Sequence, residues 1–259
     1  MKEDIITKIR DSNPLIHHIT NNVVMNFTAN GLLSFGGAPV MASAPEESAD
    51  MTAVADALLI NIGTLKNAEH EAMILSGKAA NDKGIPVILD PVGVAATPYR
   101  TEAVRDILNH VQVTVIKGNV GEMAHLVDVP WETKGVESVG DGNADDIAKN
   151  VTHMYGAAAV VTGKTDTIFT GEQLLHSGKG HSFLELVTGA GCLLGSILAA
   201  CLTTDDALED QMFTALAFYG IAAEYAALHP NVSGPGTFKN YFIDTLSYDV
   251  KTILQMGKK

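Results

Sequence analysis

The chain has few cysteines and few basic residues for its length. Cys192 and Cys201 are the two cysteines among 259 residues. If both lie on one helix, their separation in sequence places them about 13 Å apart, too far for a disulfide bond. The 17 lysines and arginines are outnumbered by 30 aspartates and glutamates, which gives a formal net charge of -13. This balance argues against a nucleic acid or an anionic membrane as a partner, because both require basic patches.

The sequence also lacks long apolar runs and a secretory pattern. No uninterrupted run approaches the roughly 20 apolar residues that span a bilayer. Met1-Lys2-Glu3-Asp4 does not begin the basic and then apolar pattern of a signal peptide. We therefore expect a cytoplasmic protein with reduced cysteines. With 46% hydrophobic residues, the chain is able to bury one large core, and we expect a single domain over residues 1–259.

Short apolar runs alternate with helix-length patterns through the first part of the chain. These runs are almost entirely apolar, which is typical of strands buried on both faces of a parallel sheet. They are Leu15–Ile19, Ala57–Ile62, Pro86–Leu89, Val111–Ile116 and Ala157–Thr162. The helical patterns between them include Asn67–Asp82, Thr101–Asn109 and Ala144–Tyr155. This order predicts a three-layer α/β/α domain with a mostly parallel central sheet.

The pattern changes after the last of these runs. Thr167–Thr170 and Gln173–His176 flank a glycine and predict a hairpin. Three long helical patterns then follow, at Ala190–Thr203, Ala207–Leu228 and Tyr241–Met256. The polar stretch Lys134–Asp146 is predicted as a surface loop. The neighbours His17 and His18 point to opposite faces of a strand, so we expect structural roles for them and not a shared metal site.

Polar side chains follow several of the predicted strands. Asp90 follows one strand, Lys117 and Glu122 follow another, and Thr162 ends a third. In open α/β sheets, ligands bind beyond the carboxyl ends of the strands. Taken singly, each residue also fits an ordinary role, as a turn residue, a strand-end cation or a residue in the first turn of a helix.

A glycine loop precedes the apolar helix in the last third of the chain. Gly189, Ala190 and Gly191 are small enough for the N–H groups of a first helical turn to converge on an anion, and Cys192 ends this anion loop. The same residues also fit a glycine-rich turn with a small core cysteine. Together with two carboxylates suited to Mg²⁺ and a lysine, however, the loop supplies what phosphoryl transfer requires.

Six segments of the chain resemble the hydroxyethylthiazole kinase family of the ribokinase-like superfamily, in the family's order. They are His18-Ile19-Thr20-Asn21, Pro39-Val40-Met41-Ala42, Leu89-Asp90-Pro91-Val92-Gly93, Lys117-Gly118-Asn119 with Glu122, Val161-Thr162-Gly163, and Thr188–Cys192. The resemblance implies transfer of the γ-phosphoryl group of ATP to the hydroxyl of 4-methyl-5-(2-hydroxyethyl)thiazole, a salvage step towards thiamine. It also implies a homotrimer.

The resemblance further implies a role for each matching residue. Asp90 and Glu122 would hold Mg²⁺, and Lys117 and Thr162 would contact ATP. The thiazole would be contacted by Met41, Gly189 and Asn21. Many members of the family carry arginine in place of Lys117, and lysine offers a point charge where arginine offers a planar fork.

Cys192 stands where most ribokinase-like kinases have an aspartate that accepts the proton of the attacking hydroxyl. A helix N-terminus lowers the pKa of a thiol, so we expect Cys192 to be partly thiolate at neutral pH. We hypothesise that it orients the substrate hydroxyl and assists its deprotonation without forming a covalent phosphoenzyme. Cys201 lies within an apolar helical run and is expected to be a core residue.

Other functions stay open on the sequence alone. A related kinase acting on hydroxymethylpyrimidine, or an ATP-dependent dehydratase of hydrated NAD(P)H, would share the same fold. A hydrolase would pair Cys192 with one of the nine histidines. A thiazole- or thiamine-binding protein without activity would bind the ligand and release no ADP.

Overall fold

The computed structural model describes residues 1–130 and 141–256. Its strands are β1 (Leu15–Ile19), β2 (Ala38–Val40), β3 (Ala57–Asn61), β4 (Val87–Asp90), β5 (Val115–Asn119), β6 (Ala158–Thr162), β7 (Asp166–Phe169) and β8 (Leu174–Ser177). Its α-helices are α1 (Glu3–Ser12), α2 (Met25–Phe35), α3 (Pro45–Val54), α4 (Asn67–Lys83), α5 (Pro98–His110), α6 (Val120–Leu126), α7 (Asp141–Tyr155), α8 (Ala190–Cys201), α9 (Leu208–Ala227), α10 (Pro235–Leu246) and α11 (Val250–Met256).

The strands form one mixed sheet in the order β2-β1-β3-β4-β5-β6-β7-β8. The first six strands are parallel to one another. The last two are antiparallel and form the predicted hairpin. The prediction of a mostly parallel sheet is therefore confirmed. Because β1 to β6 all run in one direction, their carboxyl ends meet at a single edge of the sheet.

Alternate strand residues enter two separate cores. On β3, Leu59 packs into a core with α1, α2 and α8 to α11. Its neighbours Leu58 and Ile60 pack into a second core with α4 to α7. Because successive side chains of a strand point to opposite faces, both faces of the sheet pack against helices. This arrangement confirms the predicted three-layer α/β/α architecture. Within the described residues, no helix is long and apolar enough to cross a bilayer.

Two predicted elements differ from the observed ones at positions that matter for the site. The strand predicted at Val111–Ile116 instead spans Val115–Asn119, so that Lys117 lies within β5. The single helix predicted over Tyr241–Met256 is two helices, separated by three residues. The guanidinium of Arg10 donates to the carbonyls of Leu246 and Tyr248, both at 2.9 Å, and so stabilises the break.

The predicted loop Lys134–Asp146 is wrong in its last six residues, which begin helix α7. The remainder of that stretch lies outside the described residues. Asp145 helps to fix this helix against the hairpin, because its carboxylate accepts hydrogen bonds from Thr167 Oγ1 at 3.2 Å and from His176 Nε2 at 2.7 Å.

Candidate active site

A hydrogen-bonded cluster joins the carboxyl ends of four strands to the first turn of α8. Asn21 lies two residues beyond β1, Asn61 ends β3, Asp90 ends β4, and Lys117 lies within β5. These four side chains are all buried. Hydrogen bonds join their side chains to one another and to Cys192. The structure thus brings together four residues that the sequence predicts, and it adds Asn61.

Lys117 and Asp90 form a buried ion pair. Lys117 Nζ lies 2.9 Å from Asp90 Oδ2, and the two side chains are 4% and 1% exposed. The same ammonium donates to the carbonyl of Gly191 at 2.9 Å, which ties β5 to the anion loop. Burial is the largest single effect on Lys117 and disfavours its charge, but the acidic groups around it, Asp90 foremost, together raise the pKa of this lysine. Lys117 is therefore charged, with one of its three N–H donors left for a ligand.

Two asparagine amides point their N–H groups at Cys192. Asn61 Nδ2 lies 3.2 Å from the sulfur and Asn21 Nδ2 lies 3.5 Å from it. The Asn61 amide also donates to Asp90 Oδ2 at 3.1 Å, and its oxygen accepts from Asn21 Nδ2 at 3.0 Å. The sulfur is thus an acceptor for two donors, and its own hydrogen is free to point elsewhere.

Cys192 is the third residue of α8 and is 8% exposed. Burial raises the pKa of the thiol, and the Asp90 carboxylate raises it further. Lys117 and the two amides lower it but do not outweigh these effects. The expectation of a lowered pKa is therefore wrong. The cause is that loss of water and a nearby carboxylate dominate over the start of the helix. At neutral pH Cys192 is a thiol.

The anion loop requires glycine at its first position. Gly189 has φ 94°, and a Cβ there would lie 2.7 Å from Val24 Cγ1. The next carbonyl, that of Ala190, accepts a hydrogen bond from Tyr219 Oη at 2.6 Å. Leu193 N–H donates to Gly189 O at 2.8 Å. The N–H groups of Gly191 and Cys192 precede that bond in the helix, in the position that suits an anion.

Glu122 is held at the start of α6 beside the loop that follows Asp90. One oxygen accepts from Gly93 N and the other from Asn119 N, both at 2.9 Å. The Asn119 side chain accepts in return from Glu122 N, which completes a capping box. The carboxylate lies on the wall of a cleft of about 630 Å³, lined also by Gly93 and His125.

The two carboxylates fit a magnesium ion. Asp90 Oδ1 is buried and has no hydrogen-bond partner within the part of the chain that the structure describes. Each Glu122 oxygen accepts one N–H and retains a further lone pair. No group of three or more His, Cys, Asp or Glu side chains among the described residues could enclose a metal. Mg²⁺ is usually held by one or two carboxylates, water and substrate phosphates, and Asp90 and Glu122 supply two carboxylates.

Thr162 and Met41 lie at the same edge of the sheet but outside the hydrogen-bonded cluster. Thr162 ends β6, and its hydroxyl donates to Gly118 O at 3.3 Å. Met41 follows the edge strand β2, beside Ala42, whose carbonyl is hydrogen-bonded to His17 Nε2 at 2.8 Å. His17 and its neighbour His18 are both buried with protein partners, so they have the structural roles expected.

Sequence reasoning missed two polar residues of this edge. Asn61 ends an otherwise apolar strand, and this polar end was the available signal. Arg100 donates to the carbonyls of Ile62 at 2.6 Å, Gly63 at 2.8 Å and Val92 at 2.9 Å. It thereby joins the loop after β3 to the loop after β4, and nothing in the local sequence indicates this role.

Comparison with known proteins identifies the family of the chain. Residues 6–251 match the model of the hydroxyethylthiazole kinase family. The chain is similar to hydroxyethylthiazole kinase 1 of Oceanobacillus iheyensis, with 58% identity over 247 residues, which cover 95% of this chain and 96% of that protein. It is also similar to the solved structure of a hydroxyethylthiazole kinase protein from Pyrococcus horikoshii OT3. That match has a TM-score of 0.88 and 36% identity, and it covers 98% of this chain and 95% of the other.

A more distant structure shows the fold alone. The ADP/ATP-dependent NAD(P)H-hydrate dehydratase of Bacillus subtilis matches with a TM-score of 0.63 but 14% identity, covering 93% of this chain and 96% of that one. The family model and the two similar kinases extend over nearly the whole chain and agree with one another. The chain therefore belongs to the hydroxyethylthiazole kinase family, within the ribokinase-like superfamily.

Proposed function

We propose that this protein transfers the γ-phosphoryl group of ATP to the hydroxyl of 4-methyl-5-(2-hydroxyethyl)thiazole, a salvage step towards thiamine. The observation that carries this proposal is the contact between Lys117 and Gly191 O. That contact places a buried cation, a carboxylate and the first turn of α8 at one point. The similarity to hydroxyethylthiazole kinases supports the choice of substrate. On the family resemblance, we also propose a cytoplasmic homotrimer.

The anion loop and Lys117 bind the phosphoryl group in this account. The free N–H groups of Gly191 and Cys192 face its oxygens, and the remaining N–H donor of Lys117 adds a positive charge. Phosphoryl transfer usually has a loose transition state, in which positioning and charge stabilisation supply most of the acceleration. Thr162, at the end of β6, contacts the nucleotide. The Lys117–Asp90 pair keeps the cation fixed below the loop.

Asp90 Oδ1 and Glu122 would hold Mg²⁺, directly or through water. The ion, when bound, neutralises phosphate charge. Because Asp90 also accepts from Lys117 and Asn61, its free oxygen has a fixed direction. Glu122 is fixed likewise by its two backbone donors. The protein's contribution is thus two oriented carboxylates, one at the end of β4 and one in the first turn of α6.

Cys192 orients the hydroxyl of the substrate and takes its proton. The hydroxyl oxygen forms a bond to phosphorus while the bond from phosphorus to the ADP oxygen breaks. The proton passes to the Cys192 thiolate, which becomes a thiol and later loses a proton to water. Because the raised pKa keeps most molecules in the thiol form at neutral pH, the rate is set partly by the small thiolate fraction. No bond forms between sulfur and phosphorus.

Met41, Gly189 and Asn21 surround the thiazole in this proposal. Both side-chain N–H groups of Asn21 already donate hydrogen bonds, to Asn61 and to Cys192. Its contact with the thiazole is therefore a packing contact and does not need a new hydrogen bond. Gly189 offers a backbone surface without a side chain.

The cysteine hydrolase is disfavoured by the partners of the thiol. Those partners are two asparagines, and no histidine in the described ranges 1–130 and 141–256 is hydrogen-bonded to Cys192. A hydrolase would need a neighbouring base to activate this nucleophile.

Release of ADP with and without the thiazole alcohol tests the function. We expect release that requires both the thiazole alcohol and Mg²⁺. The matched substrates are hydroxymethylpyrimidine and hydrated NADH, which test the kinase and dehydratase alternatives. Faster turnover with either of these, or ADP release independent of any alcohol, would overturn the proposal.

A further inference from the structure

Asn61 is the most highly connected polar side chain of the cluster. Its oxygen accepts from Asn21 Nδ2 at 3.0 Å and from Gly63 N at 2.9 Å. Its nitrogen donates to Asp90 Oδ2 at 3.1 Å and to Cys192 Sγ at 3.2 Å. The side chain is 1% exposed. The amide therefore uses both of its N–H donors and both acceptor positions, all within the protein.

The orientation of this amide is fixed by the backbone. Gly63 N–H is always a donor, so the group that it contacts on Asn61 must be the oxygen and not the nitrogen. The nitrogen must then face Cys192 and Asp90. The same argument fixes Asn21, whose oxygen accepts from Val24 N at 3.2 Å. Two N–H groups with defined directions therefore converge on the sulfur.

Gly63 allows the two amides to pack this closely. A Cβ on Gly63 would lie 2.6 Å from Asn21 Nδ2 and 2.9 Å from Asn21 Cβ. Any side chain at position 63 would displace Asn21 from Asn61 and Cys192. The segment from Asn61 to Gly63 thus shapes the surroundings of the sulfur although it contributes no charge.

Asn61 also stands between two groups that carry negative charge at the same time. The sulfur is anionic in the thiolate form that takes the proton of the alcohol, while Asp90 is a carboxylate paired with Lys117. Asn61 donates one N–H hydrogen bond to each of them. Among the residues that the structure describes, the charged groups that act on Cys192 are Asp90 and Lys117. Tyr219 of α9 lies nearby, and its hydroxyl donates to Ala190 O. Within the same residues, the two amides are the groups that donate to the sulfur.

We propose that Asn61 is a positioning residue for Cys192, which directs the sulfur at the substrate hydroxyl and separates it from Asp90 by donating one N–H to each. This inference rests on the proposed function, in which the sulfur takes the proton of the alcohol. The hydrogen bond from Asn61 lowers the pKa of Cys192, as expected for an N–H donor to a thiolate.

The two cysteines of the chain allow a direct test in the resting protein. Labelling with ¹³Cβ-cysteine gives one resonance each for Cys192 and Cys201, and the shift of each reports its ionisation. In Asn61→Leu, we expect the titration midpoint of Cys192 to rise by about one pH unit. Cys201 is fully buried, and burial raises its pKa with no charged group among the described residues contributing, so its signal serves as an internal reference.

Kinetics provide the second readout. We expect kcat of Asn61→Leu to fall by about tenfold and KM for ATP to change by less than twofold. Asn61→Asp keeps the shape and the acceptor oxygen but replaces the N–H donors, so it should raise the midpoint at least as much. This variant also tests the proposal if the leucine variant fails to fold.

Ser196→Ala is the matched control. Ser196 lies one turn beyond Cys192 on α8, and its hydroxyl is hydrogen-bonded to the buried His18. Its replacement removes a buried hydrogen bond from the same helix without touching the sulfur, so the Cys192 midpoint should not move. Folded Asn61 variants with the wild-type midpoint, or a change confined to the Mg²⁺ requirement, would overturn the inference. Failure of the proposed function would be seen in a separate result. The Cys192 signal of the wild type would titrate as expected, but the wild type would release no thiazole-dependent ADP.

Discussion

Lys117 Nζ lies 2.9 Å from the carbonyl oxygen of Gly191, and so joins the centre of the sheet to the first turn of α8. The same ammonium is paired with Asp90 at 2.9 Å. One lysine therefore contacts both the backbone proposed to face the phosphoryl group and the carboxylate proposed to hold the metal. Loss of this residue should affect stability and activity together.

Lys117→Met should destabilise the protein by about 3–5 kcal/mol, because it leaves the buried carboxylate of Asp90 without its partner. Chemical denaturation and ADP release measure the two effects. The double variant Lys117→Met/Asp90→Leu removes both charges and should recover much of the stability without recovering activity. If the double variant were active, the pair would have a structural role alone.

Cys192→Ala should lower kcat by about 10- to 100-fold with a smaller change in ATP binding, since it removes the proposed proton acceptor. Cys192→Asp should remain active, because a carboxylate accepts a proton from the same position. Cys201→Ala, at the buried end of the same helix, is the control for a lost thiol. Equal activity of Cys192→Ala and wild type would remove the proposed role of the sulfur.

The rate should rise with pH through and above neutrality. Burial and Asp90 raise the pKa of Cys192, so the thiolate, the proposed proton acceptor, becomes more abundant as the solution becomes alkaline. The profile of kcat against pH for the wild type checks this. In Cys192→Asp the rise should move to lower pH. A wild-type profile that is flat from about pH 7 to 9 and matches that of Cys192→Ala would contradict the account.

Gly189→Ala should abolish most activity and destabilise the fold, because φ 94° strains any side chain and the Cβ would overlap Val24. Each effect costs on the order of 1–3 kcal/mol. Gly84 provides a control for strain alone, since it has φ 77° and, apart from its chain neighbours, no atom of the described residues lies within 4 Å of a Cβ there. Gly84→Ala should therefore cost less stability and leave kcat unchanged. Thermal unfolding and ADP release distinguish the two glycines.

The protein should lose stability as the pH falls below about 6.5, in part because of His18. Burial lowers the pKa of this histidine to about 4, whereas the unfolded chain binds the proton near pH 6.5. The stabilising contribution is therefore complete above the unfolded pKa and is lost on acidification towards pH 4. In His18→Gln, denaturation from pH 7 to pH 4.5 should show a smaller decline. An unchanged slope would indicate that other groups cause the loss.

Much of the fold follows from the sequence because buried parallel strands are nearly all apolar. Val87, Ile88 and Leu89 have no polar alternation, and this predicts helices on both faces. The break between α10 and α11 could not be predicted, since it depends on Arg10, more than two hundred residues away in the chain.

The site was predicted less completely than the fold. Asp90 and Lys117 were identified as strand-end residues, and the structure pairs them. Asn61 was missed because it lies inside the run Ala57–Ile62, whose apolar residues predict a buried strand. Its partner Cys192 lies 131 residues away. The ionisation of Cys192 was predicted wrongly for a related reason. The helix start is visible in the sequence, whereas burial and the nearby carboxylate depend on tertiary packing.

Phosphorus NMR of a complete reaction with ATP, Mg²⁺ and the thiazole alcohol tests the central claim most directly. The account predicts that ADP and a phosphate monoester of the thiazole hydroxyl form in equal amounts, with no signal from phosphate bound to sulfur. Accumulation of a phosphothiol on Cys192, or conversion of ATP to ADP and inorganic phosphate without the ester, would contradict it.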